Sequence, residues 1–209
     1  TAYGLTESCG VVSICRQDDP PEVVATTSGK AIAGVEVKCV DPATAQEVAR
    51  GLEGEIWVRG YNVMKGYFEM PEASQQAITA DAWLRTGDIG VMDNNDYLRI
   101  TDRLKDMYIM NGENVYPAEV EQTIFALEQV AQVAVVGVAK LPQGEVGVAF
   151  VVPNAEISEQ SIIDYCQQNL ASYKVPFKVF FVEVLPLNAA GKVLKNQLRE
   201  QAAITSREK

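Results

Sequence analysis

Short apolar runs separated by turn-forming residues fill the first half of the chain, residues 1–100. The runs at 11–15, 35–40, 55–59, 89–92 and 97–101 read as β-strands, and the intervening DDPP, SGKAIAG, RGLEG and DNND carry turn chemistry. The stretch PEASQQAI puts Pro71 in the first turn of a short helix. Short strands joined by tight turns predict a small β-barrel-like or sandwich element.

From about Thr101 the pattern changes. A β-like stretch at 107–110 meets the turn NGEN. PAEVEQTIFAL then has Pro at its start, early Glu residues, and Val120, Ile124 and Leu127 on one face of an amphipathic helix. The runs at 130–139 and 146–153 read as adjacent strands across the turn LPQGE. SEQSIIDYCQQNL is a second amphipathic helix with Ser158 as its N-cap. FKVFFVEV is a further strand, and PLNAAGKVLKNQLRE is a loop leading into a short helix. Strands interspersed with helices predict a compact α+β module. The boundary falls within ITDRLKD, giving expected domains at 1–102 and 103–209. The fold class expected for the whole is α/β to α+β.

Composition narrows the chemistry. A chain of 209 residues with 47% apolar content builds a packed core in one large or two small domains. A net charge of −10 repels a nucleic-acid backbone, but leaves room for a small anion held by local positive charge. No apolar run is long enough to span a bilayer. Cys9, Cys15, Cys39 and Cys166 form no C-x-x-C pair, so four reduced thiols in a cytoplasmic protein are expected. The chain has no His. That removes Ser-His-Asp catalysis, the usual neutral-pH base and the commonest transition-metal ligand. Chemistry must run on carboxylates, Lys, Arg, Tyr or backbone groups.

Four stretches could carry it: YGLTE (3–7), TGD (86–88), DRLKD (102–106) and AAGK (189–192). Each alone has a plain structural reading. Thr-Gly-Asp is usually a turn, and DRLKD a solvated linker of alternating charge. Lys192 is followed by Val193 and lacks the earlier Gly, so AAGK is no Walker loop. Their order carries more. YGLTE resembles Y-G-x-T-E, GEIWVRGYNVMKGY resembles a G-E-I/L-x-x-x-G-x(5)-G-Y pattern, and WLRTGD resembles W-x-x-T-G-D. TDRLKDMYIMNGENVYPAEVE resembles a hinge-and-hairpin segment, and LPLNAAGKVLKNQLRE a closing P-x(4)-G-K-x-x-K. Together these are similar to the adenylate-forming, AMP-binding superfamily, in its acyl-CoA synthetase form. The family's Ser/Thr/Gly-rich phosphate loop does not occur here. The resemblance is therefore to the C-terminal portion: the tail of the large adenylation domain, then the small mobile domain. An N-terminal region of the same protein is expected as the missing partner.

The resemblance implies two steps. A carboxylic acid attacks the α-phosphorus of ATP, giving acyl-AMP and pyrophosphate; the thiol of CoA then takes the acyl group and expels AMP. It also implies roles. Tyr3 would stack on adenine, with Gly4 and Thr6 beside the nucleotide. Glu7 would hold Mg²⁺, a hard cation that takes oxygen ligands. Asp88 would bind the ribose hydroxyls and Arg103 the ribose or phosphate. Lys192 would insert beside the α-phosphate as the catalytic cation. Lys105 sits at the hinge, and Gly112 and Asn114 on the CoA side. Ile109 departs from aryl-CoA ligases that carry Lys there. The alternatives are a non-catalytic nucleotide- or partner-binding module, an adenylation domain serving a carrier protein, and a luciferase-like enzyme.

Overall fold

The computed structural model describes residues 1–189 and 191–205. Their contacts divide into two compact units, Thr1–Leu104 and Lys105–Lys209.

The first unit holds two antiparallel sheets. Strands β1 (Ala2–Tyr3), β2 (Ser13–Ile14) and β3 (Lys30–Ala31) form one, in that order. Strands β4 (Val35–Val40), β5 (Glu53–Gly60), β6 (Leu84–Met92) and β7 (Leu98–Arg103) form the other as a meander. Helices α1 (Pro21–Thr26) and α2 (Pro71–Ala77) both begin on proline, whose fixed φ suits a first turn. Alternation sorts the side chains of β5. Ile56 and Val58 enter a core with Val12, Val35, Cys39, Leu84 and Leu98, so Glu55, Trp57 and Arg59 lie on the opposite face.

The mixed class holds, but the expected barrel does not close. β1–β3 are two residues each and pair only among themselves, while β4 and β7 pair with one neighbour apiece. Ser28 N–H donates to Leu98 O at 2.7 Å and Leu98 N–H to Gly29 O at 2.9 Å. Those bonds tie the segment just before β3 to β7 without extending into a continuous ladder.

The second unit is one mixed sheet with helices on both faces. β10 (Val130–Lys140) and β11 (Gly144–Pro153) form a long hairpin, and β12 (Lys178–Phe181) runs parallel to β11. The hairpin β8 (Tyr108–Met110) and β9 (Glu113–Val115) joins through Gly144 and Met110. Val135, Ala149 and Val151 pack against α3 (Pro117–Phe125) and α4 (Glu159–Asn169). Ala134, Val136, Val148 and Phe150 pack against α5 (Lys195–Thr205) through Leu198 and Ala202. Burial of both faces explains why these strands read as nearly unbroken apolar runs. The Ser158 cap forms as expected, its Oγ accepting the Ser161 N–H at 3.1 Å. Among the described residues no helix is long and apolar enough to cross a membrane.

Tyr108 fills a slot in this core. Gly137 and Gly147 face each other across β10 and β11, and a Cβ on either would collide with the Tyr108 side chain. Tyr108 is 1% exposed, and its hydroxyl has no hydrogen-bond partner among the described residues. A buried, unpaired hydroxyl costs roughly 1–3 kcal/mol. Tyr108→Phe should therefore raise stability by about 1 kcal/mol in urea unfolding, after the lost packing of the oxygen is deducted. A drop in stability would contradict an unpaired hydroxyl.

Candidate active site

The Thr-Gly-Asp stretch lies within β6 rather than in a free turn. Between the pairs Glu55–Ile89 and Trp57–Arg85, β6 carries extra residues opposite Ile56. This bulge re-aims side chains locally, as bulges beside functional sites do. Thr86 pins it: its Oγ1 donates to Ile56 O at 2.7 Å and accepts the Asp88 N–H at 3.1 Å. Gly87 takes φ +70, and its carbonyl accepts the Leu104 N–H at 2.8 Å.

The bulge presents Asp88 to two other expected site residues. Tyr3 donates its hydroxyl to Asp88 Oδ2 at 2.7 Å, and Arg103 Nε pairs with Oδ1 at 3.0 Å. Asp88 is only 7% exposed, whereas Arg103 is open to solvent. Burial, reinforced by the adjoining Asp88 carboxylate, pushes the Tyr3 phenol well above its ordinary range. Tyr3 is therefore a neutral donor at any working pH. Its half-buried ring packs against the unit's apolar core. Each carboxylate oxygen of Asp88 keeps further accepting capacity, which suits hydroxyl donors.

Thr6 and Glu7 lie in a short 3-10 turn, Thr6–Ser8, directly after β1. Buried Ser8 locks this turn through its Oγ, which donates to Leu5 O at 2.9 Å and accepts the Leu5 N–H at 3.2 Å. Gly4 has no room for a Cβ, which would strike the Gly10 carbonyl. Thr6 is exposed, and Glu7 is half-buried. Tyr67 donates to Glu7 Oε1 at 3.0 Å, so the G-Y end of the second motif buttresses the acid of the first. Among the described residues no cluster of three His, Cys, Asp or Glu is arranged to hold a metal. A single carboxylate still fits Mg²⁺, which takes few protein ligands and completes its octahedron with water and phosphate oxygens.

The remaining expected residues fall in the second unit. Lys105 is its first residue and is exposed. Arg199 Nη2 donates to Lys105 O at 3.5 Å and pairs with Asp106 at 2.9 Å, tying α5 to the start of the unit. Asn111 and Gly112 form the two-residue turn between β8 and β9, with φ +52 and +88. That is the Asn-Gly pattern of a hairpin turn, and it requires the glycine whatever else approaches. Nothing lies near a Cβ built on Gly112, so its outer side is sterically open. Asn114 is exposed on β9.

Lys192 sits in a tight loop. Its N–H donates to Asn188 Oδ1 at 2.9 Å, and its carbonyl accepts the Asn188 N–H at 2.8 Å. The side chain is exposed and makes no ion pair among the described residues. Lys195, the second Lys of the same motif, behaves differently. It pairs with Glu121 at 2.8 Å, and Glu121 also accepts the Val135 N–H at 2.8 Å. One lysine anchors α5 to α3 and β10, leaving the other available. A groove of about 710 Å³ between β10, α4 and β12 contains none of the expected site residues. Volume alone does not locate this chemistry.

Two family models match: the AMP-binding enzyme over residues 1–68, and the AMP-binding enzyme C-terminal domain over 119–192. The chain is 51% identical over 203 residues to the 3-(7a-methyl-1,5-dioxo-octahydro-1H-inden-4-yl)propanoyl:CoA ligase of Rhodococcus jostii, covering 96% of this chain and 37% of that one. It is 43% identical to the long-chain-fatty-acid–CoA ligase FadD13 of Mycobacterium tuberculosis, covering 97% of this chain and 40% of that one. Among solved structures, ATP-bound MatB from Rhodopseudomonas palustris superposes with a TM-score of 0.89 at 40% identity, over 96% of this chain and 40% of that one.

The chain belongs to the AMP-binding enzyme family. It spans about two fifths of the length of the acyl-CoA ligases it matches. Beside the bulge that carries Asp88 the structure places a buried acid, Glu55, to which the motifs assign no role. The sequence shows only that residues 55 and 57 of GEIWV share a strand face; the burial that makes Glu55 need partners is visible in the structure alone.

Proposed function

We propose that this chain is the C-terminal part of an AMP-forming acyl-CoA ligase, whose acid is a fused-ring propanoate. The observation that carries the reading is the Tyr3–Asp88–Arg103 assembly at a bulged strand, in a chain that also keeps an exposed, loop-borne Lys192 with no ion pair among the described residues. In the first step the acid's carboxylate oxygen attacks the α-phosphorus of ATP, and the bond to the bridging oxygen breaks to release pyrophosphate. That step gathers charge on phosphorus and needs cations and positioning, not a base. The absence of His is no obstacle, since the nucleophile is already ionised near neutral pH. In the second step the CoA sulfur attacks the acyl carbon, and AMP leaves.

The roles are those the resemblance assigns, and the chemistry of the groups is compatible with them. Asp88 accepts bonds from the ribose hydroxyls while Tyr3 and Arg103 hold it in place. Tyr3 offers its ring to adenine, with Gly4 and Thr6 at the nucleotide. Lys192 supplies a compact charge on a flexible stem to the α-phosphate. Glu7 would hold Mg²⁺, which neutralises phosphate charge when bound. Lys105 is the pivot between the two steps, and Gly112 and Asn114 face CoA.

The substrate class rests on the order of identities. It falls from 51–52% for two indenyl-propanoyl:CoA ligases to 43% for a long-chain fatty-acid ligase and 38% for a 4-coumarate ligase. With the full-length ligase, CoA-thioester formation should be at least about tenfold faster, in kcat/KM, for a bicyclic propanoate than for palmitate or 4-coumarate; one well-matched apolar group is worth that much. A preference for palmitate would overturn the substrate class and leave the ligase reading intact. No thioester from any acid would overturn both.

A further inference from the structure

Glu55 is 5% exposed, and the mechanism above gives it no task. Both of its oxygens face N–H donors. Oε1 accepts the Gly87 N–H at 3.1 Å, and Oε2 accepts the Trp57 indole N–H at 2.7 Å. Gly87 is the central residue of the bulge that aims Asp88, and its conformation, φ +70, is one that side chains other than glycine rarely adopt. The residue is therefore held on both sides, its N–H by Glu55 and its carbonyl by the Leu104 N–H. Trp57 is itself fixed. Lys38 Nζ and Arg85 Cζ lie over its indole, 5.2 and 5.0 Å from ring centroids.

We propose that Glu55 is a positioning residue for adenylation: it sets the Gly87 peptide, and through it Asp88, and the task requires a carboxylate because both partners are donors. The proposal rests on the assignment of Asp88 to the ribose. An amide at position 55 has one oxygen and one NH₂ group. Whichever way it turns, a donor meets a donor, either at Gly87 or at Trp57. Removing the indole N–H removes the conflict, because Gln can then give its oxygen to Gly87. Trp57→Phe should therefore rescue Glu55→Gln, which a general loss of packing would not do.

The test uses the full-length ligase and its ATP-dependent acyl-AMP formation. Glu55→Gln should raise the KM for ATP about tenfold, the equivalent of one misplaced charged hydrogen bond, with a smaller change in kcat. It should also shrink the preference for ATP over 2′,3′-dideoxy-ATP. Trp57→Phe alone should change KM by no more than about threefold, and Glu55→Gln with Trp57→Phe should return to within about threefold of Trp57→Phe. Wild-type behaviour of Glu55→Gln, or a double variant as impaired as Glu55→Gln, would overturn the proposal. If Glu55→Gln does not fold, the double variant carries the test: folded with a near-normal KM supports it, and unfolded overturns it. Failure of the ribose assignment looks different. Asp88→Ala would then leave the ATP preference unchanged, while the thermal-melting coupling between positions 55 and 57 would persist.

Discussion

Lys192→Ala in the full-length ligase should slow acyl-AMP formation about 100- to 1,000-fold, the usual effect of removing one preorganised donor from developing transition-state charge. Transfer of the acyl group from supplied acyl-AMP to CoA should change less than about threefold, because that step makes no new charge at phosphorus. The structure supports the asymmetry. Lys192 is held by its backbone, through both Asn188 bonds, and its side chain makes no ion pair among the described residues. Its loss therefore removes a charge without unravelling the loop. Lys195→Ala is the matching control. It breaks the Glu121 pair that ties α5 to α3, so it should lower the melting temperature and impair both steps together. Equal loss in both half-reactions for Lys192→Ala, with unchanged melting, would remove the lysine from its assigned role.

Asp88→Ala should raise the KM for ATP by about 10- to 100-fold, the range for losing one or two hydrogen bonds to a charged group. It should also cost stability, roughly 1–2 kcal/mol, because the Tyr3 hydroxyl would lose its 2.7 Å acceptor in a half-buried place. Tyr3→Phe separates the two effects. It leaves the Asp88–Arg103 pair at 3.0 Å intact, so its KM should stay within about threefold of wild type if Asp88 itself meets the nucleotide. A Tyr3→Phe enzyme as impaired as Asp88→Ala would show that Asp88 acts only by placing the phenol.

Much of this architecture is legible in the sequence because local and tertiary signals agree. The run at 35–40 became β4 without change, and Pro71 opens α2 as its first-turn geometry predicts. Ser158 caps α4 with the expected side-chain bond. Disagreements arise where tertiary pairing overrides local chemistry. Gly87 and Asp88 read as a turn, yet pairing with β5 and β7 draws them into β6 as a bulge. DDPP reads as a turn, yet Pro21 opens the short helix α1. NGEN reads wholly as a turn, yet only Asn111 and Gly112 turn and Glu113 begins β9. The run at 177–184 shortened to Lys178–Phe181, the part that finds a partner in β11.

The site was legible to a lesser depth. The motifs gave the residue types, but spacing says nothing of contacts between positions 85 residues apart, such as the Tyr3–Asp88 bond. Nor does it separate Lys192 from Lys195, which share a motif although one is exposed in a loop and the other opens α5 and meets Glu121. Glu55 escaped because one buried acid in an apolar strand leaves no periodic signature; only its two donors reveal it.

The role proposed for these residues is in an acid-activating reaction that splits ATP between its α- and β-phosphates. The most direct measurement is the identity of the nucleotide product when the full-length ligase turns over with ATP, CoA and a bicyclic propanoate. Acid-dependent AMP and pyrophosphate in equal amounts, with no ADP, is the predicted result. Formation of ADP and orthophosphate, or AMP release independent of the acid, would contradict it.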